Sequence, residues 1–307
     1  MPEGVAFIEG KFVPAHEARI SIFDTGFTRG DAVYDTVSVW HGWFFRLDDH
    51  VRRFQRSCAG MRLTCPHSAE EIKFIVATCV QRAQLDDAYV QMIVTRGVLP
   101  RTPLRDPRQC RNQFISYAIP YVWIVPPDHQ ATGVNLVVCH TRRTPPEAID
   151  PRVKNFNWMD LARGLLEALD EGGATGVLCT LDGRLAEGPG FNLFIVKHGE
   201  LLTPASNVLE GITRQTVFDL AAEIGVVARA LDLTPEDLRG ADEAFLSSTA
   251  GGIMPVSRVD GQPVGTGSPG PLTVRLRSLY WDKREQGWLG TSVDELVKDR
   301  PAGMADV

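Results

Sequence analysis

Lys154 is the residue of this sequence best placed to do covalent chemistry. It lies in the stretch Arg142 to Met159, where prolines keep the approach extended and apolar residues at helical spacing begin at Trp158. The sequence therefore predicts Lys154 where an extended segment enters an amphipathic helix. An ordinary lysine there would be solvated. Apolar neighbours at Val153, Phe156 and Trp158 would instead desolvate the amine and lower its pKa from about 10.4, which favours attack on a carbonyl carbon.

A second group of residues could together hold a phosphate. Two stretches lie where a loop meets a predicted helix or strand end, and they offer backbone N–H groups and hydroxyls to an anion. The stretch at the helix start has the same residue types as an ordinary helix cap that binds no anion. The arginine of the group could grip phosphate through two charge-assisted hydrogen bonds, and we expect it to contribute most to the affinity. The residues are Arg53, the helix start Gly211, Ile212 and Thr213, and the strand end Ser248, Thr249 and Ala250.

Glu187 is the candidate acid of the site. It stands beside Gly188, Pro189 and Gly190, which would let a flat ring approach closely. A carboxylate beside a pyridine nitrogen keeps that nitrogen protonated and makes the ring an electron sink. A lone acid in a loop is more often a solvated charge. The chain has neither of the glycine-rich motifs that cradle dinucleotides or nucleoside triphosphates, so nucleotide binding is disfavoured.

The composition points to a protein that acts on small molecules. The chain has 307 residues, of which 44% are hydrophobic and 23% charged, so it can form two globular domains. The net charge of −6 disfavours binding to nucleic acid or to anionic membranes. Neither a signal sequence nor a membrane span is evident, so we expect a cytoplasmic location. The six cysteines lack metal-binding or redox spacing, which predicts reduced thiols and no metal site.

Periodicity along the chain predicts a mixed α/β fold in two domains. Residues 1–125 would form a small α/β domain, 126–133 a linker, and 134–307 a larger cofactor-binding domain. Residues 20–30 and 97–111 are predicted as loops, the second one basic and mobile. Strands are predicted at 5–13 (as a hairpin), 31–40, 89–96, 113–121, 134–141, 175–180, 191–197 and 243–247, and helices at 47–54, 69–83, 158–168, 213–224 and 271–288.

The order of the motifs resembles that of the fold-type IV pyridoxal-phosphate enzymes along nearly the whole chain. The motifs are Gly30 to Tyr34, Leu47 to Arg53, Val153 to Asn155, Glu187 to Asn192, Gly211 to Arg214, and Ser248 with Thr249. The runs 142–151 and 156–161 most resemble the (R)-selective amine transaminases. The resemblance implies two mixed α/β domains with pyridoxal 5'-phosphate in the cleft between them. It also implies a homodimer whose active site borrows residues from the partner subunit.

The resemblance also implies a role for each cofactor residue. Lys154 would bind the cofactor as a Schiff base and act as the general base, and Glu187 would pair with the pyridine nitrogen. The phosphate would be held by Arg53, Ile212, Thr213 and Thr249, with Trp158, Gly211 and Ser248 completing the cofactor site. The reaction implied is ping-pong, from an (R)-amine to a keto acid such as pyruvate.

The substrate pocket is where related families differ. Branched-chain aminotransferases carry glycine and arginine where this chain has Thr36 and Ser38, and the loss of that arginine favours an amine without a carboxylate. D-Amino-acid aminotransferases use an arginine that matches Arg101 and a histidine whose place is taken by Pro103. Arg101 or Arg105 could receive the carboxylate of the keto acid, or both could be solvated loop charges. The pocket residues implied are Tyr34, Thr36, Ser38, Tyr89, Gln91, Arg101, Arg105, Ala250 and, lent to the partner subunit, Trp123.

Several other functions are compatible with the same motifs. A D-amino-acid aminotransferase is the nearest alternative, followed by a branched-chain aminotransferase. An aminodeoxychorismate-lyase-like enzyme would use the same Lys154 for elimination, and would release pyruvate without an acceptor. A non-catalytic pyridoxal-phosphate-binding protein is the alternative from a different class. The presence of both Lys154 and Glu187 disfavours it, and turnover measurements would decide.

Overall fold

The computed structural model describes residues 3–100 and 105–304. The chain divides into two compact units. Unit 1 comprises Met1–Val122, Val153–Asn157 and Arg284–Val307, and unit 2 comprises Trp123–Arg152 and Trp158–Lys283. This division differs from the predicted boundaries, because the segment with Lys154 and the carboxy-terminal residues both belong to unit 1. No helix in the described residues is long and apolar enough to cross a membrane.

Both units contain helices and strands, which confirms the predicted mixed α/β class. The helices are α1 (Thr25–Arg29), α2 (Leu47–Gly60), α3 (Ala69–Arg82), α4 (Pro127–Thr132), α5 (Met159–Asp170), α6 (Ile212–Glu223), α7 (Pro235–Arg239), α8 (Pro271–Glu285) and α9 (Val293–Lys298). The strands are β1 (Val5–Ile8), β2 (Lys11–Pro14), β3 (Ala32–Trp40), β4 (Trp43–Phe45), β5 (Ala88–Thr95), β6 (Gln113–Pro120), β7 (Val134–Arg142), β8 (Thr175–Cys179), β9 (Glu187–Gly188), β10 (Phe191–Lys197), β11 (Glu200–Pro204), β12 (Ala228–Leu231), β13 (Glu243–Ser248), β14 (Gly252–Val259), β15 (Gln262–Pro263) and β16 (Gly290–Ser292).

Unit 1 is built on a seven-stranded sheet in the order β16-β4-β3-β5-β6-β1-β2. β3 confirms the strand predicted at 31–40, and its Val33, Val37 and Val39 are fully buried in the core that includes residues of α2 and α3. The opposite face of β3 carries Tyr34, Thr36 and Ser38, as side chains alternate along a strand. β3 pairs antiparallel with β5, and β5 with β6, so their polar residues share that face.

Unit 2 is built on a nine-stranded sheet, in which β12-β11-β10-β13-β14-β7-β8 are neighbours. β15 pairs with β14, and the two-residue strand β9 pairs with β10. This short pairing sets Glu187 opposite Asn192. Helix α6 begins at Ile212, one residue before the predicted start, with Gly211 as its N-cap and no side-chain cap. The predicted capping hydroxyl of Thr213 is therefore inside the first turn.

Two predicted loops contain short helices. Within residues 20–30, the carboxylate of Asp24 accepts a hydrogen bond of 2.7 Å from the N–H of Gly26 and caps α1. The predicted linker 126–133 contains α4, where the buried side chain of Gln130 donates to the carbonyl of Val125 at 2.7 Å. Both helices have only five or six residues, too few for an apolar period to be visible in the sequence.

Candidate active site

Lys154 is held by its backbone in unit 1. The N–H of Lys154 donates to the hydroxyl of Ser57 on α2 at 3.0 Å, and its carbonyl accepts from the N–H of Tyr34 on β3 at 3.0 Å. Phe156 continues this pairing, because its N–H donates to the carbonyl of Ala32 at 3.4 Å. These contacts fix the main chain around Lys154 without using its amine.

The aromatic ring that the amine of Lys154 faces is that of Tyr34. Nζ lies 4.4 Å from the centre of this ring, which is within cation–π range. Phe156 and Trp158, which were predicted to crowd the amine, are 37% and 36% exposed. Phe156 packs on the ring of Tyr34, with the ring centres 4.7 Å apart. Tyr34 is 5% exposed and is the buried aromatic neighbour of the Lys154 amine. It is 120 residues away in sequence, so the local sequence around Lys154 could not identify it.

Arg53 is buried on the core side of β3, where it pairs with Asp35. Its Nε donates to one carboxylate oxygen at 2.7 Å and its Nη2 to the other at 2.8 Å, while Nδ1 of His50 lies 2.8 Å from the same carboxylate. One edge of the guanidinium is therefore bound by Asp35 and fixed in direction. Burial alone would raise the pKa of Asp35, but the charge and hydrogen bonds of Arg53 and His50 outweigh it and lower that pKa.

The buried His50 makes the stability of the protein depend on pH. Burial lowers the pKa of His50, despite the opposing hydrogen bond and charge of Asp35, so the folded state keeps the imidazole neutral. An unfolded histidine takes up a proton near pH 6.5, so the unfolded state binds more protons below that pH. We therefore expect the free energy of unfolding to fall as the pH is lowered from 7.5 to 5.5. Asp35, whose pKa is also lowered, adds a loss in the same direction below about pH 3.9.

Urea unfolding at pH 7.5, 6.5 and 5.5 would measure this loss. His50→Gln removes the titrating group while keeping an amide that can bond to Asp35, so its stability should fall less over that range. His129→Gln is the matched control, because His129 is an exposed histidine on α4 and its substitution should leave the pH dependence of stability at that of wild type. An equal pH dependence in wild type and His50→Gln would contradict the assignment.

The face of β3, β5 and β6 that is opposite the valine core carries neutral polar groups. The hydroxyls of Thr36 and Tyr89 are 3.4 Å apart, and Nε2 of Gln91 lies 3.4 Å from each of them. The hydroxyl of Tyr117 donates to Oε1 of Gln91 at 2.8 Å. The hydroxyl of Ser38, which is 1% exposed, has no hydrogen-bond partner among the described residues. Tyr117 was missed from sequence, although its position opposite Gln91 in the sheet register places it here.

Glu187 is buried in unit 2 in an ion-pair network. Oε1 accepts from Nη2 of Arg143 at 2.9 Å, and Nη1 of Arg143 donates to Asp160 at 2.6 Å. The Glu187 side chain is 7% exposed and that of Arg143 is 11% exposed. Burial opposes the charge of Arg143, but Glu187 and Asp160 outweigh it and raise its pKa. The network therefore holds Glu187 as a carboxylate of fixed orientation, and sequence analysis identified neither Arg143 nor Asp160.

Asn192 connects Glu187 to the start of helix α6. Its Nδ2 lies 3.5 Å from Oε2 of Glu187 and donates to the carbonyl of Leu209 at 3.0 Å. The N–H of Leu209 donates to the same carboxylate oxygen at 2.9 Å. A Cβ on Gly211 would lie 2.1 Å from Oδ1 of Asn192, so only glycine fits there. The buried carboxylate and the N–H groups of the first turn of α6 thus belong to one packed arrangement.

The end of β13 packs on the glycine turn that follows Glu187. The hydroxyl of Ser248 donates to the carbonyl of Gly190 at 2.8 Å and accepts from the N–H of Ala250 at 3.2 Å. Gly190 has φ +87, and a Cβ there would lie 3.1 Å from Ile124 and 3.7 Å from Trp158. The predicted residues Ser248, Ala250, Trp158 and the glycine turn are therefore gathered in unit 2. Thr249 lies in the turn between β13 and β14.

Trp123 and Arg105 are the remaining predicted residues that the structure describes. Trp123 is half-buried and packs on Trp281, with ring centres 5.5 Å apart. Arg105 is exposed. Arg101 lies outside the described residues.

Comparison with known proteins identifies the family. The profile described as Amino-transferase class IV matches residues 32–259, which is more than half of the chain. This chain is a member of the class IV aminotransferase family. The matched range includes Lys154, Glu187, Arg53 and the start of α6.

Relatives of this class IV aminotransferase carry two kinds of name. It is 34% identical over 281 residues to a putative branched-chain-amino-acid aminotransferase of Methanocaldococcus jannaschii, covering 91% of this chain and 96% of that protein. It is 29% identical over 271 residues to the D-alanine aminotransferase of Bacillus licheniformis, covering 88% and 93%. The solved branched-chain amino acid aminotransferase of Escherichia coli superposes with a TM-score of 0.89 at 27% identity, over 95% of this chain and 99% of that one.

Proposed function

We propose that this class IV aminotransferase uses pyridoxal 5'-phosphate to move an amino group from an (R)-amine without a carboxylate to a keto acid such as pyruvate. Two solved structures of one branched-chain amino acid aminotransferase of similar fold contain pyridoxamine 5'-phosphate and N-(5'-phosphopyridoxyl)-L-glutamate, which supports the choice of cofactor. When bound, this cofactor supplies an aldehyde carbon that receives the amino group and a ring that takes up electrons from the substrate carbon.

The donor groups of each unit fit this cofactor. In unit 2, the buried carboxylate of Glu187 suits a protonated pyridine nitrogen, and the first turn of α6 suits a phosphate. Gly188 packs directly against the ring of Phe191 and the carbonyl of Gly176, because a Cβ there would lie 2.1 and 2.4 Å from them. In unit 1, Lys154 supplies a primary amine and Arg53 a guanidinium whose direction is set by Asp35.

Each of these residues would have a definite task. Lys154 would anchor the cofactor and, once released from it, carry the proton away from the substrate carbon that bears the amino group. Arg143 would keep Glu187 charged and oriented, so that a carboxylate and not a neutral carboxylic acid faces the pyridine nitrogen. Tyr34, packed under the amine of Lys154, would set the direction from which that amine reaches the substrate.

The absence of charge beside Lys154 carries the proposal about the substrate. Tyr34 contacts the amine of Lys154 and lies on the same sheet face as Thr36, Ser38, Tyr89, Gln91 and Tyr117. In the described part of unit 1, the side chains on this face of β3, β5 and β6 are all uncharged. The side chains of these three strands would offer no cation to a substrate carboxylate buried against this face, at a cost of several kcal/mol. A neutral or aromatic group on the amine avoids that cost.

A substrate panel separates this proposal from its alternatives. Pyruvate would be the acceptor, and the donors would be (R)- and (S)-1-phenylethylamine, D-alanine and L-leucine. We expect the highest kcat/KM with the (R)-amine. The names of the relatives favour two alternatives, and turnover confined to D-alanine or to L-leucine would replace the proposal with a D-amino-acid or branched-chain aminotransferase. Pyruvate release without an acceptor would indicate a lyase.

The acceptor carboxylate requires a cation that the amine does not, and Arg105 is the described candidate. An exposed loop arginine could engage only when the acid is present, whereas a fixed buried one would be left unpaired with the amine. We expect Arg105→Ala to slow the half-reaction that consumes pyruvate by about tenfold or more, and to change the amine half-reaction little. Stopped-flow measurement of each half-reaction tests this, with Arg163→Ala, an exposed arginine on α5, as the control. If both half-reactions change equally, another residue such as Arg101 receives the carboxylate.

The homodimer with a shared active site and the cytoplasmic location stay predictions. Trp123 is the residue proposed to reach the partner's site, and its packing on Trp281 would set its direction within its own unit. Sedimentation at assay concentration would test the dimer. A fully active monomer would rule out a shared site, while fractionation of cells would test the location.

A further inference from the structure

A cavity of about 450 Å³ in unit 1 is lined by four arginines. It lies where the α2–α3 loop meets the end of β5 and the segment before β6. The lining residues include Met61, Arg62, Arg96, Arg108, Arg111 and Asn112, and none of the described lining residues is acidic. The whole chain has a net charge of −6, so this concentration of positive charge is opposite in sign to the rest of the protein.

Arg96 forms a fixed wall of the cavity and is not available to a ligand. Its Nε and Nη2 donate to the two carboxylate oxygens of Asp31 at 2.9 and 3.0 Å. It also donates to the carbonyl of Met61 at 2.7 Å and to that of Arg62 at 2.9 Å. The guanidinium therefore joins the end of β5 to the end of α2. It holds the backbone of Arg62, which has φ 53, in place.

The opposite wall is held by Asn112 and Gly97. The side chain of Asn112 donates to the carbonyl of Arg96 at 3.0 Å and accepts from the N–H of Thr64 at 2.7 Å, so it bridges both sides of the cavity. Gly97 has φ +90, and a Cβ there would lie 2.2 Å from the carbonyl oxygen of Arg111. The backbones that carry Arg62 and Arg111 are therefore positioned before any ligand arrives.

The charge around the cavity is only partly neutralised. Asp31 pairs with Arg96, and Asp106 pairs with Arg108 at 2.7 Å. Arg62 and Arg111 have no carboxylate within ion-pair distance in the ranges 3–100 and 105–304. Both residues line the cavity, so it offers two guanidinium groups that no described carboxylate neutralises. We propose that this cavity binds a small multivalent oxyanion, such as a phosphate ester or a di- or tricarboxylate, held by Arg62 and Arg111.

The class of ligand follows from the geometry of guanidinium. Each guanidinium can donate two parallel hydrogen bonds to a phosphate or a carboxylate, so two of them match a molecule with at least two anionic groups. A volume of about 450 Å³ lies in the range of small-molecule sites. Met61, Pro66 and Pro107 add apolar surface for a carbon framework. This inference does not rest on the proposed aminotransferase reaction.

Calorimetric titration of the protein with pyrophosphate and with citrate tests the site. The protein is loaded with pyridoxal phosphate and then freed of excess cofactor, so that the cofactor's own phosphate site is filled without free phosphate ester in solution, and ionic strength is held constant with sodium chloride. We expect saturable binding of at least one probe, and weaker or no binding of acetate, which has one charge. Arg62→Gln and Arg111→Gln should each weaken the affinity by about tenfold or more. Arg163→Gln removes the same charge from an exposed position on α5 and should change the affinity less than about twofold.

The outcomes are distinguishable. Binding of pyrophosphate alone would identify a phosphate-type site, and binding of citrate alone a carboxylate-type site, and either supports the proposal. Both arginines are exposed, so the variants should keep the fold, which thermal unfolding checks. Absence of saturable binding of both probes would overturn the proposal. Unchanged affinity in both Arg62→Gln and Arg111→Gln would also overturn it, as would a loss of affinity in Arg163→Gln as large as in those two variants.

Discussion

Replacing Lys154 with alanine should lower transaminase turnover by more than about 1000-fold. The amine is proposed to act twice, as the cofactor's anchor and as the base that moves the substrate proton, and base catalysis alone contributes about 100- to 10,000-fold. The fold should survive, because Lys154 is held by backbone bonds to Ser57 and Tyr34 that alanine keeps. The measurement is kcat with (R)-1-phenylethylamine and pyruvate. Lys11→Ala, an exposed lysine on β2, is the matched control and should turn over at the wild-type rate.

Borohydride reduction gives an independent readout of the same assignment. Reduction of the protein with bound cofactor should fix the cofactor on one peptide, the one that contains Lys154. Lys11→Ala should give the same labelled peptide, whereas Lys154→Ala should give none. A label found on another lysine, or undiminished turnover in Lys154→Ala, would contradict the role of this residue.

Most of the fold was predictable because its longer elements carry clear periodicity. β3 alternates between buried valines and polar residues, and α2 starts with Asp48 and Asp49, which suit the positive end of a helix. Short elements such as α1, α4 and β16 were missed, since three to six residues do not complete a pattern. The unit boundary was also missed, because β16 pairs with β4 across more than 200 residues of sequence. No local signal encodes that pairing.

The reacting groups of the candidate site could be predicted from the sequence, but the residues that pair with them could not. Lys154 and Glu187 stand in recognisable motifs, but Arg143 is 44 residues from Glu187 in sequence and reaches it only through the packing of unit 2. Asp35 did leave a signal. It falls on the apolar face of β3 between Val33 and Val37, and a carboxylate at such a position must be paired when it is buried. Tyr117 left none, because its role depends on the register of β5 with β6.

Glu187→Gln is the substitution with the second largest expected effect. Without the carboxylate, the pyridine nitrogen of the cofactor would not be kept protonated, and the ring would take up electrons less well. Loss of one such electrostatic group costs about 100- to 1000-fold in kcat. The amide also turns an N–H donor toward Arg143 or the N–H of Leu209, both of which are donors. Breaking this buried pair should cost about 3–5 kcal/mol of stability in addition.

Asp160→Asn separates the chemical effect of Glu187 from the structural one. Asp160 is the other acid bound to Arg143, at 2.6 Å, and its side chain is 9% exposed against 7% for Glu187. Both substitutions therefore break a buried pair to the same arginine and should lower the free energy of unfolding by similar amounts. Only Glu187→Gln removes the charge proposed to face the pyridine nitrogen, so only that variant should lose about 100-fold or more in kcat at saturating cofactor. An equal loss of kcat in both variants would mean that Glu187 acts through the integrity of the network, and that another group protonates the ring.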